Sequence, residues 1–547
     1  MISFKMLYLK YFPYNPRPFQ DELMDRIFMS NIMLCEAPTG SGKSIASLCS
    51  FLADKKEEEK IVVLTRTKSQ ADIYLGEIKK ISEKIKKTIS AVHLVSKQEI
   101  CPKLKYSDIT YEEFNQLCRV SECEYRDRND CPYIKLQKKL PRAEVIVASY
   151  NYLLYPPLRD YFLDRAETTL ENLMVIVDEA HNLLNLDILG RKIKEKTVKL
   201  AEKELKERIP LRRIFKGEDS MIDISGWIEP EEIRYLYEMG TEILKEKKIS
   251  FTFRTACFFL NAYKLRYNEN FMIYRQNGEI FLKPIFPSKL IEPLIYCKKL
   301  LLMSATLSPI EGYATLYELE KAEVYSMPNL FPKENRRYLV IRSGLNTRLE
   351  SRDAMLWKKY AKTIEEIYKS TPRITLVFFP SYEILKEVHS FVNFNVFIEP
   401  KENKELKTLI EKIKNEKKAL LFAVCGGKLS EGVEFTIDGS SIVKTIVIAG
   451  LPFPVPNFEL ELKRELYDRK FGYGRGYFFL HVLPMVNKTL QATGRAIRSA
   501  NDRAVVVFLD DRLEHYRYFP QEIREELELV EIEKIREKVE EFHKTYA

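Results

Sequence analysis

Short apolar runs that end in polar or glycine-containing turns recur along the chain, and longer stretches with helical spacing separate several of them. Continuous apolar runs of this kind predict strands of a parallel sheet that is covered on both faces and carries its chemistry in the loops after the strands. The runs fall into two sets, so the pattern predicts two α/β lobes. The first set reads NIMLCEAPTG, KIVVLTRT, AEVIVASYN, LMVIVDEAH and KLLLMSATLS, and the second reads ITLVFFPS, ALLFAVCGG, KTIVIAGLPFP and RAVVVFLDD.

Two segments interrupt the first set and are interpreted as insertions. Residues 96–142 are polar, contain cysteines and lack strand patterns, whereas residues 186–286 hold amphipathic charged stretches with helical spacing. The second lobe is predicted to be contiguous and to end in a docked helix that follows Pro520. The predicted boundaries are 1–95, 143–185 and 287–330 for the three pieces of the first lobe and 331–547 for the second lobe.

Composition is typical of a soluble globular protein with several domains. The 547 residues are 45% hydrophobic and 31% charged, so the chain can bury several cores and is not disordered. No apolar run reaches the roughly 18 residues of a membrane span, and we find no export signal, so we expect no membrane partner. The net charge of +9 is compatible with binding a phosphate backbone but does not demonstrate it.

Five of the nine cysteines stand singly in apolar surroundings. A free thiol in such a place behaves as a small hydrophobic side chain. This usage suits a reducing compartment, so we expect a cytoplasmic protein. The five are Cys35, Cys49, Cys257, Cys297 and Cys425.

A phosphate-binding loop follows the first apolar run. Its glycines let backbone N–H groups curl around phosphate oxygens, and the N-terminus of the following helix adds positive potential. Lys43 is predicted to reach the β- and γ-phosphates and Ser44 to bind Mg²⁺. The first position of the motif holds Ala37, where the standard loop has glycine. The nucleotide-binding residues predicted from this string are Thr39, Gly40, Ser41, Gly42, Lys43 and Ser44.

Phosphoryl transfer also needs a carboxylate site, and the string VIVDEAH supplies one at the end of an apolar run. Asp178 is placed to hold the Mg²⁺ shell, and Glu179 to orient or deprotonate the attacking water. An Asp-Glu pair after a strand is by itself most often a solvated turn. Its combination with the phosphate loop favours an ATP-hydrolysing site.

The first insertion contains four more cysteines, which lie within a stretch of 31 residues and have the spacing C-x16-C-x4-C-x7-C. Because no C-x-x-C pair occurs, spacing alone leaves a metal site and unrelated free thiols equally open. Basic and aromatic residues interleave in the same segment, which suits single-stranded DNA; the alternative is a solvated rim around a metal site. The cysteines are Cys101, Cys118, Cys123 and Cys131, the basic residues are Lys103, Lys105, Arg119, Arg126, Arg128, Lys138 and Lys139, and the aromatic residues are Tyr106, Phe114, Tyr125 and Tyr133.

The string Asp178-Glu179-Ala180-His181 resembles the DEAH box of superfamily-two helicases, and five further strings stand in the order of that family. They are RPFQ, LTRTKSQ, SATL, GKLSEGVEF and QATGRAIR. With the cysteine insertion, they make the chain resemble the XPD family of iron-sulfur DNA helicases over nearly its whole length.

This resemblance implies two RecA-like motor lobes, with an iron-sulfur insertion and a helical arch insertion in the first lobe. It implies ATP, Mg²⁺ and a [4Fe–4S] cluster as cofactors, with the four clustered cysteines as ligands and zinc as the alternative metal. The substrate would be single-stranded and forked DNA, unwound 5′ to 3′ by a monomeric motor in DNA repair. Arg17 and Gln20 of RPFQ would contribute to nucleotide binding, and His181 would couple hydrolysis to strand movement.

The string QATGRAIR places Gln491, Arg495 and Arg498 at i, i+4 and i+7, which predicts one shared helix face. Taken alone, this string is also compatible with a basic helix face that is exposed to solvent. The resemblance implies that Gln491 belongs to the catalytic set and that both arginines act on the γ-phosphate as arginine fingers. It also implies nucleotide contacts for Gly432 and Glu434, the latter standing where XPD-like helicases usually have aspartate.

Other interpretations stay open at this point. A DinG-type relative shares the cluster and the motor but has a longer, different arch segment. A translocase would hydrolyse ATP on DNA without unwinding duplex, which a forked-substrate assay detects. A redox-sensing DNA-binding module would stay functional after Lys43→Ala.

Overall fold

The computed structural model describes residues 4–104, 108–184, 190–400, 402–430, 433, 435–437, 440–497 and 501–545. The chain begins with alternating helices and strands, and the apolar runs of the sequence form the strands. These first elements are α1 (Phe4–Leu9), α2 (Gln20–Met29), β1 (Ile32–Glu36), α3 (Lys43–Asp54), β2 (Lys60–Thr65), α4 (Lys68–Ile85) and β3 (Ala91–Leu94).

Four short helices occupy the first insertion, and the chain then returns to the first lobe. The helices of the insertion are α5 (Lys97–Ile100), α6 (Tyr111–Val120), α7 (Glu124–Asp127) and α8 (Pro132–Gln137). The returning elements are β4 (Val145–Ser149), α9 (Asn151–Leu154), α10 (Pro156–Ala166) and β5 (Leu173–Asp178).

The second insertion holds the helices that its sequence pattern indicated, together with an antiparallel sheet that the pattern did not indicate. Its strands pair in the order β6-β9-β8-β7. Asn277 and Gly278 join β8 to β9 with φ values of 51° and 69°, which is the geometry that an Asn-Gly hairpin turn requires. The elements are β6 (Arg191–Lys194), α11 (Glu195–Leu205), β7 (Ser220–Met221), α12 (Pro230–Lys247), α13 (Phe251–Leu265), β8 (Phe271–Gln276) and β9 (Glu279–Pro284).

The first lobe closes with α14 (Ser288–Ile291), β10 (Lys299–Ser304), α15 (Ile310–Leu316) and β11 (Glu323–Ser326). Its seven strands are all parallel, in the order β11-β1-β10-β5-β2-β4-β3. All six residues of β2, of β5 and of β10 are buried, because helices cover both faces of the sheet.

The second lobe contains another seven-stranded parallel sheet, in the order β14-β15-β13-β18-β19-β12-β20. The prediction of two parallel α/β lobes is thus confirmed. The first ten elements of this lobe are β12 (Arg336–Ile341), α16 (Ala354–Ser370), β13 (Ile374–Phe379), α17 (Tyr382–His389), β14 (Val396–Ile398), α18 (Asn403–Asn415), β15 (Ala419–Val424), β16 (Thr436–Ile437), β17 (Ser440–Ser441) and β18 (Val443–Ile448). They are followed by α19 (Phe458–Phe471), α20 (Arg475–Tyr477), α21 (Leu483–Thr493), β19 (Ala504–Phe508), α22 (Gln521–Glu526), β20 (Leu527–Val530) and α23 (Ile535–Thr545).

The chain end differs in part from the single docked helix expected after Pro520. Helix α23 does dock, since Val539 and Phe542 are buried in the core of the second lobe. Strand β20, however, precedes it and pairs with β12 at the edge of the sheet. None of the described helices combines the length and the apolar character needed to cross a membrane.

Helix α19 of the second lobe packs on the hairpin of the second insertion. Glu459 accepts hydrogen bonds from Tyr274 Oη at 2.6 Å, from Lys283 Nζ at 2.8 Å and from Lys463 Nζ at 2.7 Å. Burial opposes the charged form, but the two lysines outweigh it and lower the pKa of Glu459 to about 2. The insertion, which emerges from the first lobe, is therefore also fixed to the second lobe.

The five single cysteines behave as the sequence predicted. Four of them are buried and Cys257 is partly buried, all with free thiols. Burial raises the pKa of the thiols of Cys35, Cys257, Cys297 and Cys425 to about 12, and that of Cys49 rises as well. These thiols are packing groups rather than nucleophiles or metal ligands.

Candidate nucleotide-hydrolysis site

The predicted phosphate loop connects β1 to the N-terminus of α3. Gly40 and Gly42 adopt φ values of 84° and 74°, in the left-handed region that favours glycine. A Cβ atom on Gly42 would lie 2.3 Å from Nε2 of Gln20, so a side chain there would displace the Gln20 amide. Buried Ser41 has no hydrogen-bond partner for its hydroxyl in the described part of the chain. The loop is a cradle of the size and polarity that a phosphate chain fits.

Arg17 and Gln20 hold this loop from its outer side. The Arg17 guanidinium donates to the carbonyl of Gly40, and Gln20 Nε2 donates to the carbonyl of Gly42 at 3.2 Å. Gln20 Oε1 in turn accepts from the backbone N–H of Arg17 at 2.9 Å. Both residues thus contact the loop backbone, and Thr39 lines the adjoining cleft.

The two acidic residues lie where β5 ends, opposite the phosphate loop. Lys43 Nζ is 3.7 Å from Glu179 Oε1. Burial and the charge of Glu179 raise the pKa of Asp178 to about 6. Burial acts on Glu179 in the same sense, but the Lys43 charge and the hydrogen bonds from His181 and Ser304 outweigh it and lower its pKa. Asp178 is therefore a buried carboxylate suited to Mg²⁺, and Glu179 is held ionised.

Glu179 adopts a left-handed conformation, with φ 52°, that is rare outside glycine. Several buried groups fix it there. Tyr150 donates its hydroxyl to the carbonyls of Asp178 and Glu179, and Asn182 donates its backbone N–H and its amide to the Glu179 carbonyl at 2.9 Å and 3.0 Å. Tyr317 donates its hydroxyl to the carbonyl of the next residue, Ala180, at 2.9 Å. Sequence reasoning missed these residues, which turn the acidic side chain toward the cleft.

A chain of side-chain hydrogen bonds runs from Glu179 across to the second lobe. Ser304 Oγ donates to Glu179 Oε2 at 2.8 Å and lies 2.7 Å from His181 Nδ1. His181 Nε2 lies 2.7 Å from Nε2 of Gln491 on α21. Since the only Ser304 proton goes to Glu179, His181 must donate from Nδ1 and accept from Gln491 at Nε2. The chain is fully satisfied by one neutral tautomer of the imidazole.

Asn487, one helical turn before Gln491, makes a second bridge between the lobes. Its amide nitrogen donates to the Thr306 carbonyl at 2.8 Å and to Thr306 Oγ1 at 3.0 Å. Thr306 Oγ1 lies 3.3 Å from His181 Nδ1. Asn487 and Thr306 are both buried. This residue was not identified from the sequence, because an asparagine in an apolar helix carries no signal of its partner.

The expectation that Gln491, Arg495 and Arg498 share one helix face was wrong. Helix α21 ends at Thr493, and Gly494 caps it, so Arg495 lies beyond the helix. Arg495 donates to the carbonyls of Gln491 at 3.3 Å and Val433 at 3.2 Å, and it lines the cleft. Arg498, together with Gly432 and Glu434, lies outside the described residues.

Glu36, at the end of β1, joins the phosphate loop to the SATL string. Its carboxylate accepts from the backbone N–H of Leu307 at 2.9 Å and from Ser308 Oγ at 2.7 Å. Burial raises its pKa to about 7. This residue also escaped sequence reasoning, although it lies directly before the phosphate loop.

A cleft of about 1720 Å³ lies between the lobes and is lined by residues of both. The first lobe contributes Lys43, Glu179 and His181, and the second contributes Gln491 and Arg495. A phosphate cradle and an ionised carboxylate are the parts that nucleotide hydrolysis requires, and a polar connection links them to the second lobe.

Comparisons with known proteins agree with this geometry. The family described as DEAD/DEAH box helicase matches residues 17–136, the DEAD_2 family matches 122–198, and the family described as helicase C-terminal domain matches 364–526. The ATP-dependent DNA helicase XPD of Sulfolobus acidocaldarius is 26% identical, with 91% of this chain and 96% of that protein covered. A probable ATP-dependent helicase of Methanocaldococcus jannaschii is 23% identical, with 93% and 94% covered.

Solved structures show the same fold. A structure named XPD helicase superposes with a TM-score of 0.71 at 24% identity, covering 94% of this chain and 100% of the other. The structure of Xpd4 from S. tokodaii gives a TM-score of 0.66 at 20% identity with the same coverage. The chain is a superfamily-two helicase of the XPD/DinG type. This helicase is an ATP-hydrolysing enzyme, which implies ATP and Mg²⁺.

The four clustered cysteines of this XPD/DinG-type helicase are half-buried. Cys118 lies in α6, and the other three flank the ends of short helices. Cys101 follows α5 and Cys131 precedes α8, two helices that contact each other. The backbone N–H of Leu104 donates to Cys101 Sγ at 3.4 Å, and Arg126 donates to the Cys118 carbonyl at 2.9 Å. Over the described residues, no three histidine, cysteine or acidic side chains converge as a metal site. The donor set nevertheless fits an iron-sulfur cluster, which takes four thiolates.

The first insertion docks on the helices of the second. Phe114 and Leu117 of α6 pack against Leu244 and Phe253 of α12 and α13. Buried Glu113 accepts from the backbone N–H of Ser250 at 3.0 Å and from Arg254 Nε at 2.9 Å.

Two of the aromatic residues expected to stack on bases are packing groups instead. Phe114 and Tyr133 are buried, whereas Tyr125 is only partly covered. Lys105 and Tyr106 lie outside the described residues.

Proposed function

We propose that this helicase unwinds DNA, moving 5′ to 3′ along a single strand as a monomeric motor in DNA repair. The observation that supports it best is the bonded chain from Gln491 through His181 and Ser304 to Glu179. It joins Glu179, which would orient the attacking water, to a helix of the other lobe. A change of lobe position therefore alters the surroundings of Glu179, which is what a motor requires.

The phosphates of ATP would lie in the loop between β1 and α3, held by its N–H groups and by Lys43. Asp178 and Ser44 would hold Mg²⁺, which, when bound, offsets the negative charge of the phosphates. Glu179 would orient the attacking water through Oε1 and accept its proton, because Ser304 already occupies Oε2.

Arg495 and Arg498 would approach the γ-phosphate as the lobes close and stabilise the charge of the transition state. Arg495 starts from a position on the cleft wall. Arg17, Gln20, Thr39, Ser41 and the region of Gly432 and Glu434 would complete the nucleotide site.

We further propose that Cys101, Cys118, Cys123 and Cys131 hold a [4Fe–4S] cluster, which, when bound, cross-links α6 to the neighbouring segments of the first insertion. Zinc is the alternative metal. The proposed compartment is the cytoplasm, where the five single free thiols would stay reduced.

The test of the motor uses anaerobically purified protein. ATP hydrolysis is measured with and without single-stranded DNA, and unwinding is measured on forks with a 5′ or a 3′ tail. We expect strong stimulation by DNA and release of the strand only from the 5′-tailed fork, with both activities lost in Lys43→Ala. Hydrolysis without strand release would instead indicate a translocase, and unwinding by Lys43→Ala would refute the mechanism.

The test of the cluster compares two cysteine variants by iron, sulfide and zinc content. Cys118→Ser should lose most of the roughly four irons expected per chain, whereas Cys297→Ser, which alters a buried single thiol, should keep them. Zinc in place of iron in the unmodified protein, or equal iron in both variants, would overturn the assignment.

A further inference from the structure

A second concavity, of about 560 Å³, is lined entirely by residues of the second insertion. None of the residues that line it lines the nucleotide cleft. Its lining is dominated by cations, with two acidic residues and one leucine as the remaining members. The basic residues of this groove, called the basic groove below, are Lys196, Lys199, Lys203, Lys206, Arg208 and Arg212.

Helix α11 forms one wall of the basic groove. Lys196, Lys199 and Lys203 stand at i, i+3 and i+7, so they share one helix face. Val198 and Ala201, on the other side of the helix, are buried in the core of the insertion. The helix presents its cations outward because its apolar face is already used.

Carboxylates neutralise only part of this charge. Glu195 pairs with Lys199 at 2.9 Å and with Arg212 at 3.5 Å, and Glu202 pairs with Arg212 at 3.6 Å. These contacts fix two cations in the groove wall. The other four cations, Lys196, Lys203, Lys206 and Arg208, form no ion pair with any acidic residue that the structure describes.

The residues that line the basic groove indicate which kind of ligand it could bind. Several unpaired cations on one concave surface suit a polyanion such as a phosphate backbone. Proteins that bind single strands add aromatic rings on which bases stack. Among the described residues that line the basic groove there is no aromatic side chain. The groove therefore fits a backbone whose bases are already stacked, which is duplex DNA.

The dimensions agree with such a ligand. At 1.5 Å per residue, Lys196 and Lys203 are about 10 Å apart along the helix axis. One DNA strand advances roughly 3.4 Å per nucleotide, so the helix face spans about three base steps.

We propose that the basic groove binds the phosphate backbone of the duplex arm of a forked substrate, a contact that rests on the proposed DNA-unwinding function. The contact is independent of sequence, because phosphates carry no base information. It supplies a grip on the double-stranded part of the substrate, separate from the site where ATP is hydrolysed.

The experiment compares the full-length protein with two triple variants. Lys196→Ala/Lys203→Ala/Lys206→Ala removes unpaired cations of the groove. Lys245→Ala/Lys247→Ala/Lys248→Ala, at the C-terminal end of α12 in the same insertion, removes the same charge elsewhere. Fluorescence anisotropy measures the binding of oligo(dT) and of a fork with a long duplex arm, over a range of salt concentrations.

The groove variant should bind the fork about tenfold more weakly, and its slope of log affinity against log salt should fall by roughly 2.7, the value for three lost phosphate contacts. Oligo(dT) affinity and DNA-stimulated ATP hydrolysis should stay within about twofold of the unmodified protein, and the control variant should match it throughout.

Equal losses on oligo(dT) and fork would overturn the duplex assignment, and no loss on either would remove the groove as a DNA contact. An unmodified protein without DNA-stimulated ATP hydrolysis would instead refute the proposed function. The failures of the two proposals are therefore distinguishable.

Discussion

Asn487→Ala isolates the connection between the lobes from the chemistry of the nucleotide site. The substitution deletes the two hydrogen bonds, of 2.8 Å and 3.0 Å, that the Asn487 amide donates to Thr306. It leaves the phosphate loop, Lys43 and both acidic residues untouched. The bridge exists only while the two lobes are together, so its loss should disfavour the closed arrangement and not nucleotide binding to the first lobe.

The size of the effect follows from the number and burial of these bonds. A neutral buried hydrogen bond contributes about 0.5–1.5 kcal/mol, so two contribute about 1–3 kcal/mol. If this energy is gained in the closed state from which ATP is hydrolysed, kcat should fall about 5- to 150-fold. KM for ATP should stay within about twofold, because an interaction absent from the open complex does not contribute to initial binding.

The assay is steady-state ATP hydrolysis at saturating single-stranded DNA. Thr489→Ala is the matched control: it removes a buried side-chain hydrogen bond from the same helix, but this bond, 2.8 Å to the Met485 carbonyl, lies within one lobe. We expect the control to keep kcat within about threefold.

Three results would refute this reasoning. They are an Asn487→Ala variant with unchanged kcat, a rise in KM with kcat preserved, and an equal loss of kcat in Thr489→Ala. The last would show that the helix as a whole, and not its bridge to Thr306, determines the rate.

Two further predictions concern the loop and the insertion. Gly42→Ala should weaken the binding of a fluorescent ATP analogue more than tenfold, because a φ of 74° strains an alanine and the methyl group would displace the Gln20 amide that lies 2.3 Å away; affinity within about twofold would contradict this. Glu459→Gln should lower the free energy of unfolding by about 2–3 kcal/mol at pH 7, because the pKa of Glu459 is lowered to about 2 from 4.5 by Lys463 and Lys283. A depressed pKa contributes stability above pH 4.5 that is lost as the pH falls toward 2. Thermal unfolding followed from pH 7 down to about pH 3 should therefore show the variant approaching the unmodified protein, mostly below pH 4; a constant difference would argue against the ion pairs.

Features encoded by neighbouring residues could be predicted from the sequence. The strands of both sheets follow from uninterrupted apolar runs, because a parallel sheet is buried on both faces. The phosphate loop follows from two glycines before a lysine at a helix N-terminus. Two signals of the same local kind were overlooked: the Asn277-Gly278 pair marks a hairpin in the second insertion, and Gly494 ends the helix before Arg495.

Features that depend on distant partners could not be predicted in this way. Tyr150, Glu36 and Asn487 are buried polar residues whose partners lie 28, 271 and 181 residues away along the chain. None of the three carries a local sign of its partner, and only the folded arrangement shows which carbonyl or N–H it satisfies. The prediction that Phe114 and Tyr133 stack on DNA bases was wrong for a related reason. Their spacing is typical of a binding surface, but distant parts of the chain bury them.

The residues that would act on ATP and the contacts between the lobes are encoded differently in the sequence. The groups that would act on ATP belong to local motifs, and the sequence identifies them. The connection between hydrolysis and lobe movement consists of long-range pairs, His181 with Gln491 at 310 residues and Thr306 with Asn487 at 181. Substitutions at Asn487 should therefore leave a chain that still carries every motif of an ATP-dependent helicase but has a weaker coupling between its lobes, because of these two pairs only that of His181 and Gln491 remains.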